Sequence, residues 1–466
     1  MRWLAKKNPA DLCSGSLWDK ILLYTLPIIL SNLIQLLYTA ADIAAVGWFA
    51  GEDAVAAVGV SSGVIHLVTN VFIGISAGAS IRVAYYIGSR NQEDIHQSVH
   101  TTVAAGFLFG VVATFAGILA TRPVLVILNT APSLMPDAVL YTYLYFSGLL
   151  FTSLYNFGAV ILRAGGDTRN PLRFLLISGF ANVALNLLLT GLFDLGVAGV
   201  AIATAISQLI SAILVFIELF RTNECYRVYL RHIRIYPKKF LEILRYGIPS
   251  GLQTAMFSLS NLFAQSALNN CDLVNNANNM MLAGCTAAGT IENMFTTCIN
   301  SFLTTVVTFT GQNYGAGKLD RVDKVPKIVL LICSCIYVGL VILVMTAGRA
   351  LVGLSIQNPV AIEYGLLKIR VIVCSCLIGV TGDVLASQTR SLGSSLAPMI
   401  VSILCICGVR VIYLNWVYPH YRSLLSVLLV YPLSYAIHAI FQYILYRRQR
   451  KYIGLKFAET IAASKK

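Results

Sequence analysis

The stretch ILLYTLPIILSNLIQLLYTAADIAAV, Ile21 to Val46, decides how the rest of the chain is read. It exceeds the roughly 20 residues a helix needs to cross a hydrocarbon core. A strand of a membrane barrel would run for about ten residues with alternating polarity, and this run does not alternate. Comparable runs recur at Phe107 to Ala120 and Val401 to Val417. Of the 466 residues, 57% are hydrophobic and 12% charged, and the mean hydropathy is +0.75. That is more apolar surface than a soluble core and its exterior accommodate. Lipid offers the backbone no hydrogen-bond partner, so the spans must be helices. The reading is an all-α membrane protein of about twelve transmembrane helices.

The net charge of +14 does not mark a nucleic-acid binder, because Lys and Arg sit at the ends of apolar segments and form no basic face interleaved with aromatics. They gather at Lys6, Lys7 and Lys20, at Arg90, at Arg163, Arg169 and Arg173, from Arg221 to Arg245, from Lys318 to Lys327, and in the tail YRRQRK. Arg122, Arg349, Arg422 and the pair Lys368/Arg370 fall on or near the opposite side. The positive-inside rule then puts both termini in the cytoplasm, with an even number of spans. The start MRWLAKKNPADLCSGS is polar and leads into a full-length span, so no cleaved leader is expected. A bacterial plasma membrane is the expected location. The eleven cysteines lie mostly inside apolar runs and read as packing residues. Cys374 and Cys376 point to different helix faces, so they make no metal pair.

The chain repeats itself. YTLPIIL with Pro27 returns as YGIPSGL with Pro249, YIGSRNQED (86–94) as NYGAGKLDR (313–321), and LRAGGDTRNP (162–171) as TRSLGSSLAP (389–398). The offset is 222 residues at the prolines and 227 at the later landmarks, and the polar stretch NNCDLVNNANN (269–279) is the place for the insertion. Two halves of six helices share one orientation, which relates them by an axis along the membrane normal. The expected division is an N-terminal lobe at 1–220, a cytoplasmic link at 221–245, a C-terminal lobe at 246–446 and a basic cytoplasmic tail at 447–466.

Carboxylates inside a membrane are costly and mark function by default. Three qualify: Asp42, Glu292 and Asp383. None has an acidic counterpart in the other half, since the repeat offsets pair them with Ala264, Ile65 and Asn156. The prolines, the glycines and Arg163/Arg390 are duplicated, as fold-serving residues would be. Gln35, Tyr38 and Thr39 share a helical face with Asp42. Glu292 heads a stripe with Thr296 and Asn300, and Asp383 lies on a face with Ser387 and Arg390. The bland alternatives are interhelical hydrogen bonding and a static ion pair of Asp383 with Arg390 or Arg410. Pro27 and Pro249 each remove a backbone hydrogen bond mid-span and permit bending. His66 and His438 titrate in principle, but read as core histidines. No GxxxxGK[ST], HExxH, GxSxG or paired CxxC motif is present, so no enzyme is expected and energy would come from an ion gradient.

LPIILSNLIQLLYTAADIAAVGWFAGEDAVAAVGV (26–60), LRAGGDTRNP, GVAGVAIAT (196–204) and TFTGQNYGAGK (308–318) together resemble the multidrug and toxic compound extrusion (MATE) family. The likeness covers nearly the full length and both lobes, and is nearest to the branch named after the DNA-damage-inducible protein F. Where that branch often has Asn, three residues, then Asp, this chain has Asn182 and Asn186, one carboxylate fewer. The resemblance implies secondary active export of small organic, cationic amphiphilic solutes in exchange for H⁺ or Na⁺, by alternating access between the lobes. It also implies an N-lobe cation site at Asp42, Asn182, Asn186 and Thr204, whose oxygens suit Na⁺ or a proton on Asp42. Glu292 and Asp383 would serve coupling or substrate in the C-lobe, with Tyr38 and Met256 lining an adaptable cavity. No organic cofactor, resident metal, nucleic acid or obligatory protein partner is implied; membrane lipids surround the chain. The alternatives are a flippase or exporter of a lipid-linked or anionic substrate, whose cavity should be basic, and a non-transporting membrane scaffold. The mid-span charges read as largely acidic, tempered by Arg410.

Overall fold

The structure, a computed structural model, describes residues 11–127, 130–275, 277 and 279–464. Lys6, Lys7, the side chain of His66, and Asn276 and Asn278 of the polar stretch lie outside the described residues. The described residues are helical with short connections, and no strand occurs among them.

The chain runs through α1 (Leu17–Phe49), α2 (Glu52–Ser89), α3 (Gln92–Ile127), α4 (Met135–Ser147), α5 (Leu149–Ala164), α6 (Arg169–Asn186) and α7 (Gly196–Arg221). There follow α8 (Pro237–Val274), α9 (Met280–Gly315), α10 (Leu319–Gly353), α11 (Pro359–Ser391), α12 (Leu396–Ser402), α13 (Val409–Trp416), α14 (Tyr418–Tyr421), α15 (Leu424–Leu428) and α16 (Val430–Ser464). Among the described residues, nine helical stretches are long and apolar enough to span a bilayer, and α4 with α5, bent by 42°, supplies a tenth. Helices α8 and α9, of 38 and 36 residues, are also long enough but carry many Asn, Gln, Ser and Thr. Counting them brings the bundle to the twelve spans read from the sequence.

The repeat has a conformational cause at its third landmark. Gly166 and Gly393 adopt φ of +94° and +101°, a region that side-chain-bearing residues rarely enter. Each ends one long helix so that the next can start. In the first copy Asp167 caps α6, its carboxylate accepting the backbone N–H groups of Arg169 and Asn170 at 3.1 Å.

Two compact units emerge, one of Met1–Gly251 with Gly311–Gly317, the other of Leu252–Thr310 with Lys318–Lys466. The first places its division at Gly251, beyond residue 246, and takes in the end of α9. Close backbone approach explains both features. A Cβ on Gly74 of α2 would overlap the backbone of Gly251, and one on Gly78 the backbone of Gly247. A Cβ on Gly315 would overlap the carbonyl of Tyr85 in α2. Hydrophobicity does not drive helices together in lipid, so such small-residue contacts supply the packing. Elsewhere in this unit Val46, Leu125, Phe146 and Val200 belong to one buried cluster, and Val83, Tyr155, Leu162 and Val215 to another. Segment 222–236 joins α7 to α8 with a single 3₁₀ turn at Leu230–His232, and the remaining part of the expected link, from Pro237, is already helical.

In the second unit α11 packs chiefly on α10 and α16. Helix α16 continues as a helix through Ser464, into the segment read as a tail. Arg450 anchors that extension with a two-pronged pair to Asp323, at 2.7 and 2.8 Å.

Candidate functional site

In the first unit, Asp42 of α1 meets α6 and α7. Asn186 donates its amide to one carboxylate oxygen at 2.6 Å, and the Thr204 hydroxyl donates to the other at 3.0 Å. Asn186 also donates to the Asn182 carbonyl oxygen at 3.3 Å, and Asn182 lies 3.5 Å from the Thr204 hydroxyl. The four residues expected to cluster therefore do so, on three helices. Local sequence explains the approach: Gly179 has the Tyr38 ring against its Cα, where any Cβ would collide, so α1 and α6 close up one turn from the site. Asn186 is the last residue of α6 before a π-helical segment, Leu187–Leu192, an irregularity that commonly accompanies functional sites.

Both asparagines are 2% exposed, and the Asn186 side-chain oxygen is buried without a hydrogen-bond donor among the described residues. A buried acceptor left unmatched costs free energy, about 1–3 kcal/mol in proteins. The cluster thus offers a carboxylate, two amide oxygens and a hydroxyl, with one oxygen in surplus. That donor set fits a hard monovalent cation or a proton on Asp42, and it lacks the nitrogen and sulfur ligands favoured by softer metals.

The rest of the stripe on α1 is not drawn in. Gln35 and Thr39 are exposed, and the Thr39 hydroxyl donates to the Gln35 carbonyl of its own helix at 3.3 Å. Pro27 is buried within a continuous α1, and its carbonyl accepts the Ser31 hydroxyl at 2.8 Å. Pro249 likewise lies inside an unbroken α8.

The second unit corrects the expectation of a largely acidic interior. Glu292 of α9 lies 3.9 Å from Lys368 of α11, whose ammonium also donates to the Cys285 carbonyl at 2.9 Å. Lys368, expected on or near the outer side, stands alongside Glu292 as the tenth residue of the 33-residue α11. Arg410 is 3% exposed, sits over the faces of Tyr431 and Tyr435 at 4.5 and 5.5 Å, and donates to Asn261 at 3.0 Å. Asp383 has His438 and Arg390 as its titratable neighbours. His438 is fully buried, its Nε2 3.0 Å from the Ser402 hydroxyl and its Nδ1 without a partner among the described residues. Lys368, Arg390 and Arg410 thus stand beside Glu292 and Asp383, so bases are at least as prominent as acids.

Thr296 and Asn300 are exposed, and Met256 is half-buried, its carbonyl facing the Cys407 thiol at 3.3 Å. None is drawn to Glu292 by a hydrogen bond. The sequence reading missed the partners of these charges: Lys368 beside Glu292, and Asn261, which accepts from Arg410.

Comparison with known proteins agrees with this architecture. The chain is 28% identical over 443 residues to the "Probable multidrug resistance protein YoeA" of Bacillus subtilis, covering 92% of this chain and 93% of that protein. It is 25% identical over 397 residues to the "Probable multidrug resistance protein NorM" of Thermotoga maritima, covering 83% and 82%. Among solved structures, one described as MATE in the bent conformation superposes with a TM-score of 0.89 at 20% identity, over 97% of this chain and 100% of that one. The model of the MatE family matches residues 27–188 and 249–417, one block in each half of the repeat. The chain belongs to the MatE family of multidrug efflux transporters.

Proposed function

We propose that this chain is a secondary active exporter in which a cation, H⁺ or Na⁺, enters the Asp42 cluster as an organic solute leaves. The observation that carries the reading is the Asp42 carboxylate with each oxygen held by a neutral donor and the surplus Asn186 oxygen beside it. A carboxylate paired with an arginine would have its charge already spent; this one has no cationic hydrogen-bond partner among the described residues and keeps its charge for a mobile ion. The two halves alternate in opening to either side of a bacterial plasma membrane, with both termini in the cytoplasm, and the ion's differential affinity for the two states drives the cycle.

Efflux of a fluorescent organic cation from proteoliposomes under an imposed proton gradient, and separately a sodium gradient, tests this. Flux driven by one gradient and absent from empty liposomes is the expected result. Folded protein that responds to neither would remove the exchange reading for that probe.

A second reading of the substrate is favoured by Lys368 and Arg410. A guanidinium held on two tyrosine faces, with an ammonium beside Glu292 on another helix of the same unit, is suited to a carboxylate or phosphate on the solute. Under it, Arg410→Gln and Lys368→Gln should each lower export of an anionic or zwitterionic dye by about tenfold, matching the loss of about 1.4 kcal/mol of binding. Export of a simple organic cation should be unaffected. Equal loss for both dyes would assign these bases to folding.

A further inference from the structure

Outside the membrane-buried clusters, three histidines converge at the beginning of α3. His96 and His100 are four residues apart and share one helical face. His232, from the 3₁₀ turn of segment 222–236, joins them. One ring nitrogen from each lies within 4.8 Å of the others. The His96 Nε2 and His232 Nδ1 are 3.2 Å apart. Two nitrogens on adjacent corners of a tetrahedron, each about 2.0–2.1 Å from a central zinc, would be about 3.3 Å apart.

We propose that His96, His100 and His232 form a site for one divalent first-row transition metal of the zinc class, which clamps segment 222–236 onto the start of α3. Imidazole is the natural ligand for such ions. The orientation of His100 is already that of a ligand. Its Nδ1 lies 2.7 Å from the His96 carbonyl, so Nδ1 carries the proton and Nε2 keeps its lone pair. A ligating histidine is usually held in this way, its other nitrogen donating to a carbonyl or carboxylate. That lone pair accepts the Tyr229 N–H at 2.9 Å. Binding exchanges this contact for the metal, and the half-exposed segment leaves the freed N–H to water.

The surroundings admit an ion. His96 lines an open cleft of about 480 Å³ together with Gln92, Glu224 and Cys225. Arg227, Arg231 and Arg234 are adverse charges; Arg227 is held at 5.2 Å over Tyr229 and Arg234 at 4.5 Å over Tyr236, and Arg231 is exposed to solvent. Glu224 supplies compensating negative charge. The fourth coordination position is left to water from the cleft. The ligands come from positions 136 residues apart, so an ion would tie the connection between the two halves to the first of them.

The test is titration of the purified, chelator-stripped full chain with Co²⁺, read as its visible absorption, followed by displacement with Zn²⁺. One ion per chain and the intense absorption of a low-coordinate cobalt site are expected. His96→Gln and His232→Gln change partly exposed residues, and each should weaken binding by about tenfold or more, as loss of an inner ligand must cost at least what loss of an outer-shell partner does. The double variant should bind none. Cys225→Ser should bind as the parent does. Unaltered helicity and a single elution peak establish that the variants are folded. Cobalt binding that survives in the double variant, or that is lost with Cys225→Ser alone, would overturn the proposal, as would its absence from the parent chain. None of these readouts involves transport, so the outcome is independent of the exchange reading.

Discussion

Asp42→Asn is expected to abolish ion-driven export while leaving a folded protein. The substitution is nearly isosteric, and an amide placed among Asn186, Asn182 and Thr204 can still exchange hydrogen bonds, so stability should change by no more than about 1–2 kcal/mol. What it removes is the negative charge. A neutral amide takes up no proton near neutral pH and forfeits the charge attraction for Na⁺, so both coupling schemes fail. Proteoliposomes carrying the variant should show gradient-driven efflux below about a tenth of the parent, the effect of losing about 1.4 kcal/mol or more of ion binding. Asp42→Glu keeps the charge on a longer arm and should retain part of the flux. Thr204→Val then separates the ions. If Na⁺ is the driver, one oxygen ligand is lost and the sodium concentration for half-maximal flux rises. If H⁺ is the driver, sodium has no effect in either form and the pH dependence of flux moves instead. Full ion-driven export by Asp42→Asn would sink the assignment of the cluster.

Much of this site was legible because its members are chemically conspicuous where they stand. A carboxylate in Ile21 to Val46 is an anomaly in an apolar run, and Asn182, Asn186 and Thr204 are polar positions at helical spacing that only a partner could justify. The repeat was legible for a related reason: Gly166 and Gly393 sit at φ values that leave little choice of residue, so the turn survives in both halves. The second unit was harder to read. Where Lys368 falls along its helix depends on where α11 begins, and a start at Pro359 makes the lysine its tenth residue, beside Glu292. Its charge balance is a tertiary fact. The histidines belong between these cases. The i, i+4 spacing in QEDIHQSVH was visible, but His232 joins the pair only through the fold of segment 222–236. The crossing of α2 was likewise latent, since Gly74 and Gly78 are four residues apart, as are Gly247 and Gly251, yet only the structure pairs them.

That crossing carries the second large expected effect. Gly78→Ala should markedly destabilise the protein, whereas Gly63→Ala on the same helix should be neutral or stabilising. Helix propensity alone favours alanine at both positions by roughly 1 kcal/mol. At Gly63 nothing among the described residues lies within 4 Å of an added Cβ, so none of them opposes that gain. At Gly78 the methyl would run into the amide of Gly247 and approach the Ile243 carbonyl oxygen to 2.5 Å. Those atoms belong to the backbone of α8 and cannot swing aside as a side chain does, so the two helices must part. Parting them forfeits the close contact at Gly74 and Gly251 as well, because all four glycines sit on one seam. Overpacking of this kind typically costs about 1–3 kcal/mol, and here it acts where close packing, with no hydrophobic drive between helices, supplies the association. Thermal unfolding of the detergent-solubilised variants measures the difference: the Gly78→Ala midpoint should fall several degrees below the parent, with Gly63→Ala at or above it. Equal midpoints would mean that α2 and α8 can slide without cost, and that the seam does not hold the first unit together.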